Sequence, residues 1–254
     1  MKKPTLKSLK EKADTMEAVD AFNWLTSLSE EYGDSVKKLA DKYYKRMELI
    51  KKEENRLLAM SSMEFEAYEK GYSFIGGIDE AGRGPLAGPV VAACVILPPS
   101  VLLHKLNDSK KVSAAVRDEL YIQIKDKAIS YGIGIVENKI IDDINIYEAT
   151  KKAMELAVNC MKTRPDFLII DAVRLKIDIP QRSVPKADQN SVSVAAASIL
   201  AKVTRDRMME KLDGFYPGYG FAKHKGYGTA AHIAAIREKG LCPIHRISFT
   251  HNFV

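Results

Sequence analysis

The stretch FIGGIDEAGRGPLAGPVVAACVILP, residues 74–98, decides how the chain is read. Both of its ends are apolar and β-rich, as in two neighbouring strands joined by a glycine turn. Its middle sets two adjacent acids, Asp79 and Glu80, ahead of Gly82-Arg83-Gly84. Burying neighbouring carboxylates without partners costs several kcal/mol, so the pair calls for a cation. The glycines let backbone N–H groups approach a ligand closely, and Arg83 offers a fork of donors suited to phosphate. Alone, a Gly-Arg-Gly sequence is usually no more than a turn.

Working outward, LNDSKKVS reads as a loop whose Ser113 caps a helix running to about Ala128. ISYGIGIVE is a third strand, and helical spacing resumes from Tyr147 to Met161 before Arg164-Pro165. DFLIID is a continuous apolar run ending in Asp171, as in a buried strand. QRSVPKAD gives a short edge-type segment, and NSVSVAAASILAKVTRDRMMEKLD a long helix whose small residues allow close packing. Strands alternating with helices predict one α/β domain over residues 71–254, ending in a basic piece that mixes turns with helix. Residues 1–70 predict a separate helical extension. Val36, Leu39, Tyr43, Met47 and Ile50 recur at helical spacing, and Phe22, Trp24 and Leu25 mark a second amphipathic piece. Nothing in the extension has catalytic spacing.

Four acids stand out by location. Asp79 and Glu80 end the first strand, Asp171 ends the apolar one, and Asp188 lies between the edge segment and the long helix. Ligands of open α/β sheets gather at the carboxyl ends of strands, so the four can converge. Asp188 as a plain helix cap and Asp171 as a turn residue are the competing readings. Two like charges 4 Å apart repel by about 4 kcal/mol at an effective dielectric near 20. An oxygen-only donor set answers that repulsion with Mg²⁺ or Mn²⁺ rather than zinc, and two such ions can act across one phosphate. Adjacent strand residues point to opposite faces, so Asp79 and Glu80 share a site only if the strand bends there or a backbone carbonyl joins in. Ala81-Gly82 permits the bend.

The composition agrees. Of the 254 residues 46% are hydrophobic, enough for one good-sized core plus an appendage. The net charge of +6 lies wholly in residues 71–254, since residues 1–70 carry 14 basic and 14 acidic side chains. Residues 202–251 hold 9 Lys/Arg against 4 Asp/Glu and four of the five histidines, a balance that suits a polyanion such as nucleic acid. Cys94, Cys160 and Cys242 lack metal-ligand spacing and read as reduced core thiols. No apolar run is long enough for a membrane span and the N-terminus has no signal-peptide core, so a cytoplasmic location is expected.

At this point the residues resemble the ribonuclease HII family, the type 2 ribonucleases H. GIDEAGRGPLAGPV is similar to the family's opening signature, and LNDSKK, DFLIIDA, KADQNSVSVAAASILAKVTRD, HKGYGT and CPIHRISF follow in its order. The resemblance covers roughly residues 70–250. It implies a ribonuclease H-like mixed central sheet flanked by helices, with a helical C-terminal part. It implies metal-dependent cleavage of RNA in RNA–DNA hybrids and at single ribonucleotides embedded in duplex DNA. The family's carboxylates fall on Asp79, Glu80, Asp171 and Asp188, with Asp79 expected to serve both ions. The loop that senses the ribose 2′-hydroxyl falls on Gly82, Arg83 and Gly84, and the junction-sensing tyrosine on Tyr227. A buried core tyrosine is the competing reading for Tyr227. Lys110 and Lys225 are expected at the substrate backbone, with Lys111, Lys202, Lys223 and His224 as further basic groups nearby. A monomer is expected; protein partners are not legible. Ribonuclease HIII, a binding module without turnover and a small-molecule phosphohydrolase are the rival readings.

Overall fold

The computed structural model describes residues 4–252. The chain forms two compact units, Met1–Arg56 and Leu57–Val254, so the division falls ahead of the change in sequence texture at Gly71. The first unit contains α1 (Leu6–Ala13), α2 (Ala18–Tyr32) and most of α3 (Asp34–Met60). Val36, Leu39 and Tyr43 of the expected stripe are buried with Leu9, Ala13, Ala21 and Leu25. The Tyr43 hydroxyl donates to Asp14 Oδ1 at 2.7 Å. The stripe's later member Ile50 is exposed, and α1, which the periodicity does not single out, is capped by Thr5.

The second unit begins within α3 and continues through α4 (Ser62–Glu69), β1 (Ile75–Ala81), β2 (Val90–Ile96), α5 (Ala114–Lys127), β3 (Ser130–Val136) and α6 (Asn138–Asn159). It ends with β4 (Phe167–Asp171), β5 (Gln181–Val184), a 3₁₀ turn Ala187–Gln189, α7 (Val192–Phe215), α8 (Phe221–His224), α9 (Ala230–Lys239) and α10 (Ile247–Thr250). The strands form one mixed sheet in the order β3-β2-β1-β4-β5. β1 runs antiparallel to β2 and parallel to β4, and β4 runs parallel to β5. This is the α/β, ribonuclease H-like architecture that the alternation and the resemblance imply.

β2 is buried along its whole length because both sheet faces are covered. Ala93 and Val95 face a core built with α5 and α7, while Ala92 and Cys94 face one built with α6. Each fully buried Val or Ile side chain contributes about 1.5–3 kcal/mol, which makes this strand the anchor of the sheet. On the α7 side, Gly77 lets the helix backbone touch the strand: a Cβ there would stand 2.2 Å from Ser193 C and Val194 N. Asp79, two residues further, therefore also faces α7.

Local chemistry explains the element ends. Ser113 caps α5 as expected, its hydroxyl accepting the Val116 N–H at 3.4 Å. The helix expected from Tyr147 is real but forms only the second limb of α6. Asn145 breaks the helix at φ 67°, and its side chain accepts the N–H groups of Tyr147 at 2.9 Å and Glu148 at 3.1 Å. The expectation that all three cysteines are core thiols is corrected: Cys94 is buried, Cys160 at the C-terminal end of α6 is exposed, and Cys242 is half-buried.

Candidate active site

The register of the parallel strands gathers the acids. Ile78 lies opposite Ile170, so the next residues, Asp79 and Asp171, emerge side by side at the carboxyl ends of β1 and β4. Asp171 lies opposite Val184 of β5, after which the chain turns at Lys186 (φ 58°) into the 3₁₀ turn carrying Asp188. Asp171 Oδ1 accepts the Ala187 N–H at 3.2 Å and so ties strand end to turn. Asp188 is not the cap of the long helix; Ser191 is, accepting the Val194 N–H at 3.2 Å.

All four carboxylates line one cleft of about 400 Å³. Although Asp79 and Glu80 leave β1 on opposite faces, the cleft opens at the strand's end and receives both. The bend follows at Gly82, whose φ of +96° suits glycine, and whose absent Cβ would lie 2.0 Å from Arg205 Nε. Gly82, Arg83 and Gly84 form another wall, with Lys110, Lys202 and Tyr227 around them.

The electrostatics are those of crowded acids. Burial, and then the charge of Glu80, holds the Asp79 carboxyl well above the usual carboxylate range, with Asp171 adding to the effect. Burial raises Glu80 too, while Arg83, 3.5 Å away, opposes the shift. Asp188 is pushed up to about 6 by burial and by the charges of Asp108 and Asp171. Glu80 Oε2 is buried without a hydrogen-bond partner. Among the described residues no three acids, imidazoles or thiols stand close enough to enclose a metal on their own, so the acids share a cleft rather than a closed cage.

Tyr227 is 44% exposed, which excludes the buried-core reading of this residue. Lys110 lines the cleft, its N–H donating at 2.9 Å to Asp108 Oδ1 in a tight turn. Lys202 also lines it and pairs with Asp206 at 2.8 Å. Lys225 does not line the cleft; its ammonium pairs with Glu210 at 2.7 Å. His224 is likewise engaged internally, Nε2 meeting the Tyr219 carbonyl at 2.7 Å. Residues the sequence reading did not single out also build the site. Asp108 stands beside Asp188, and Ser109 and Ser198, joined at 2.9 Å, line the cleft. The only signal for Asp108 was its place in LNDSKK, where an Asp-Ser pair favours a turn.

A relay of imidazoles holds the Tyr227 backbone. The Cys242 N–H donates to His245 Nδ1 at 2.9 Å, His245 Nε2 meets His232 Nε2 at 3.0 Å, and His232 Nδ1 meets the Tyr227 carbonyl at 3.0 Å. With both rings neutral, His245 donates through Nε2 and His232 through Nδ1, so every contact has one donor and one acceptor.

Known proteins share this sequence and this fold. A sequence model of the ribonuclease HII family matches residues 76–252. Ribonuclease HII of Acetivibrio thermocellus is 55% identical over 251 residues, covering 98% of each chain. That of Clostridioides difficile is 49% identical over 255 residues, covering 100% of both, helical extension included. Among solved structures, ribonuclease H2 from Pyrococcus horikoshii OT3 aligns with a TM-score of 0.60 at 28% identity, covering 69% of this chain and 93% of its own. Ribonuclease HII from Archaeoglobus fulgidus, solved in complex with PCNA, gives 0.59 at 27% identity, with 69% and 94% covered. A chain that the family's sequence model matches over residues 76–252, and that is 49–55% identical to ribonuclease HII relatives over nearly its full length, belongs to the ribonuclease HII family, the divalent-metal-dependent endoribonucleases that act on RNA–DNA hybrids.

Proposed function

We propose that the chain cuts both RNA–DNA hybrids and duplex DNA carrying a single ribonucleotide, on the 5′ side of the ribose, leaving 5′-phosphate and 3′-hydroxyl ends. The observation that carries this reading is the one cleft that sets four carboxylates against the Gly82-Arg83-Gly84 loop and an exposed Tyr227. The all-oxygen donor set, the partnerless Glu80 Oε2 and the raised Asp79, Glu80 and Asp188 carboxyls each fit a hard divalent cation, which answers all three. Asp79, Glu80, Asp171 and Asp188 would hold Mg²⁺ or Mn²⁺, with Asp79 shared between two ions. Bound there, such ions supply a nucleophilic water at neutral pH and neutralise charge at the phosphate.

The chain's own groups orient the substrate. Arg83 and Lys110 face the cleft as donors for phosphate oxygens. Backbone groups of residues 82–84 lie where a close contact can read the ribose 2′-hydroxyl, the group that distinguishes RNA from DNA. Tyr227 stands across from Gly84, its Cε1 3.9 Å from where a Cβ on that residue would lie. It stacks against the neighbouring deoxyribose, whose missing hydroxyl leaves room. In this reading the chain acts as a monomer.

The test uses an end-labelled DNA duplex with one ribonucleotide, incubated with Mg²⁺, with Mn²⁺ and with chelator. A single 5′ cut abolished by chelator is expected. Cleavage of long hybrids alone would leave the carboxylate site standing and remove the junction-reading role of the loop and Tyr227. No cleavage of either substrate would overturn the reading.

A further inference from the structure

Two arginines lie entirely inside the protein without a counter-ion. Arg205 on α7 is 1% exposed and Arg246, just before α10, is 0% exposed. Neither forms an ion pair among the described residues. An unpaired buried cation is costly, so its retention calls for a physical reason. Both guanidiniums spend their donors on backbone carbonyls, five of the six in the segment between β1 and β2. Arg246 donates to Gly82 O at 2.6 Å, Arg83 O at 2.9 Å and Gly88 O at 3.0 Å. Arg205 donates to Ala87 O at 3.1 Å, Pro89 O at 2.9 Å and Lys225 O at 2.9 Å.

The contacts of Arg246 have a directional consequence. In a trans peptide the C=O of one residue and the N–H of the next point in opposite directions. With the Gly82 and Arg83 carbonyls drawn inward, the N–H groups of Arg83 and Gly84 are turned outward, toward the cleft that these residues line. Successive outward N–H groups form a concavity suited to an oxygen acceptor. Arg205 joins this loop to the one bearing Tyr227 through the Lys225 carbonyl, and the Leu86 N–H to Gly226 O bond at 2.8 Å reinforces the link.

We propose that Arg205 and Arg246 are positioning residues for sugar discrimination: a clamp of two guanidiniums that aims the Arg83 and Gly84 N–H groups at the ribose and fixes their distance from Tyr227. The proposal rests on the ribose-reading role given to this loop above. Lysine cannot replace either residue, because its single ammonium lacks the planar fork that reaches three carbonyls at once. Burial lowers the guanidinium pKa values to about 10 for Arg205 and about 9 for Arg246, so both remain charged at neutral pH. The charge beneath the loop also favours the polyanionic substrate on its other side.

The test compares wild type with Arg246→Lys and Arg205→Lys on two duplexes that differ at one position, a ribonucleotide or its 2′-deoxy-2′-fluoro analogue. The readout is the ratio of kcat/KM for the two, which is independent of the fraction of enzyme that is folded. In Arg246→Lys the ribose preference should shrink by about tenfold or more, with the loss in kcat and KM within about threefold. Arg205→Lys should shrink it less, because its donors reach the loop only at Ala87 and Pro89. If both substrates slow equally and the ratio stays at the wild-type value, the arginines only support the fold and the proposal is overturned. Should Arg246→Lys not fold, Arg205→Lys carries the comparison alone, and a ratio at the wild-type value overturns the proposal. A wild-type enzyme that shows no ribose preference would instead overturn the reading of the loop itself.

Discussion

Replacing Gly77 by alanine adds one methyl group where α7 runs against β1, and its cost can be worked from the geometry. The new Cβ stands 2.2 Å from Ser193 C and Val194 N, and 2.6 Å from Ser193 O. These are backbone atoms of the first turn of α7, so no rotamer change relieves them. Ordinary contact begins near 3.4 Å, so strand and helix must part locally by roughly 1 Å. Overpacking of this kind costs about 1–3 kcal/mol. For a unit the size of Leu57–Val254 each kcal/mol lowers Tm by roughly 2–4 °C, giving a loss of about 2–12 °C. Activity should suffer more. The separation falls between Asp79 on the strand and the α7 side of the cleft, and a misplacement near 1 Å costs on the order of 10²-fold. Scanning calorimetry and single-turnover cleavage of a long hybrid, well below the lowered Tm, measure the two effects. A variant with wild-type Tm and wild-type cleavage would refute the claim that direct backbone contact between α7 and β1 sets the site.

Asp79→Asn should bind hybrid but cut it more than roughly 100-fold slower, beyond what losing an outer-shell partner of a metal costs; it should also lose most of the Tm rise that divalent ions give the wild type. A near-normal cleavage rate would sink the metal assignment. Tyr227→Ala removes a stacking surface worth about 1–3 kcal/mol, so cleavage at a lone ribonucleotide should fall about tenfold or more while long hybrids lose less; equal rates on the lone ribonucleotide would end the junction role. The imidazole relay predicts acid sensitivity. Burial lowers His232 to about 4 and lowers His245 as well, so the unfolded chain takes up these protons first, near 6.5. Their contribution to stability is full above about pH 6.5 and is lost as pH falls toward 4, at up to about 1.4 kcal/mol per pH unit for each proton. The raised carboxyls of the cleft act in the opposite sense. The quantity to measure is therefore the difference in Tm between wild type and His232→Asn across that window, and a constant difference would rule the relay out as an acid-sensitive support.

Much of the fold is legible because its signals are local. Ser113 announces α5, the unbroken apolar run of residues 167–170 announces a strand buried on both faces, and Pro180 and Pro185 bracket an edge strand that no further neighbour pairs with. The first limb of α6 is hidden because Asn145 interrupts the periodicity and restarts it. The edge of the helical extension is hidden for a related reason. α3 runs without a break through Arg56, so no turn signal marks the point where one compact unit gives way to the next.

The site divides along the same line. Asp79, Glu80 and Asp171 are legible because charge at the end of an apolar strand is locally anomalous, and Gly82 because a glycine follows them. Lys225 reads in sequence as a phosphate contact in a basic loop, and its partner Glu210, in α7, is not marked by spacing. Arg205 and Arg246 are the extreme case. In sequence each is one basic residue in a basic region, and composition assigns such residues to a solvated, nucleic-acid-facing surface. Their role arises from six carbonyls, five of them in residues 82–89, which only the folded chain brings to them. Backbone carbonyls are the same at every position, so a side chain that recognises them leaves no complementary letter in the sequence. Side chains that hold a loop by its carbonyls are for that reason harder to find than the groups the loop presents.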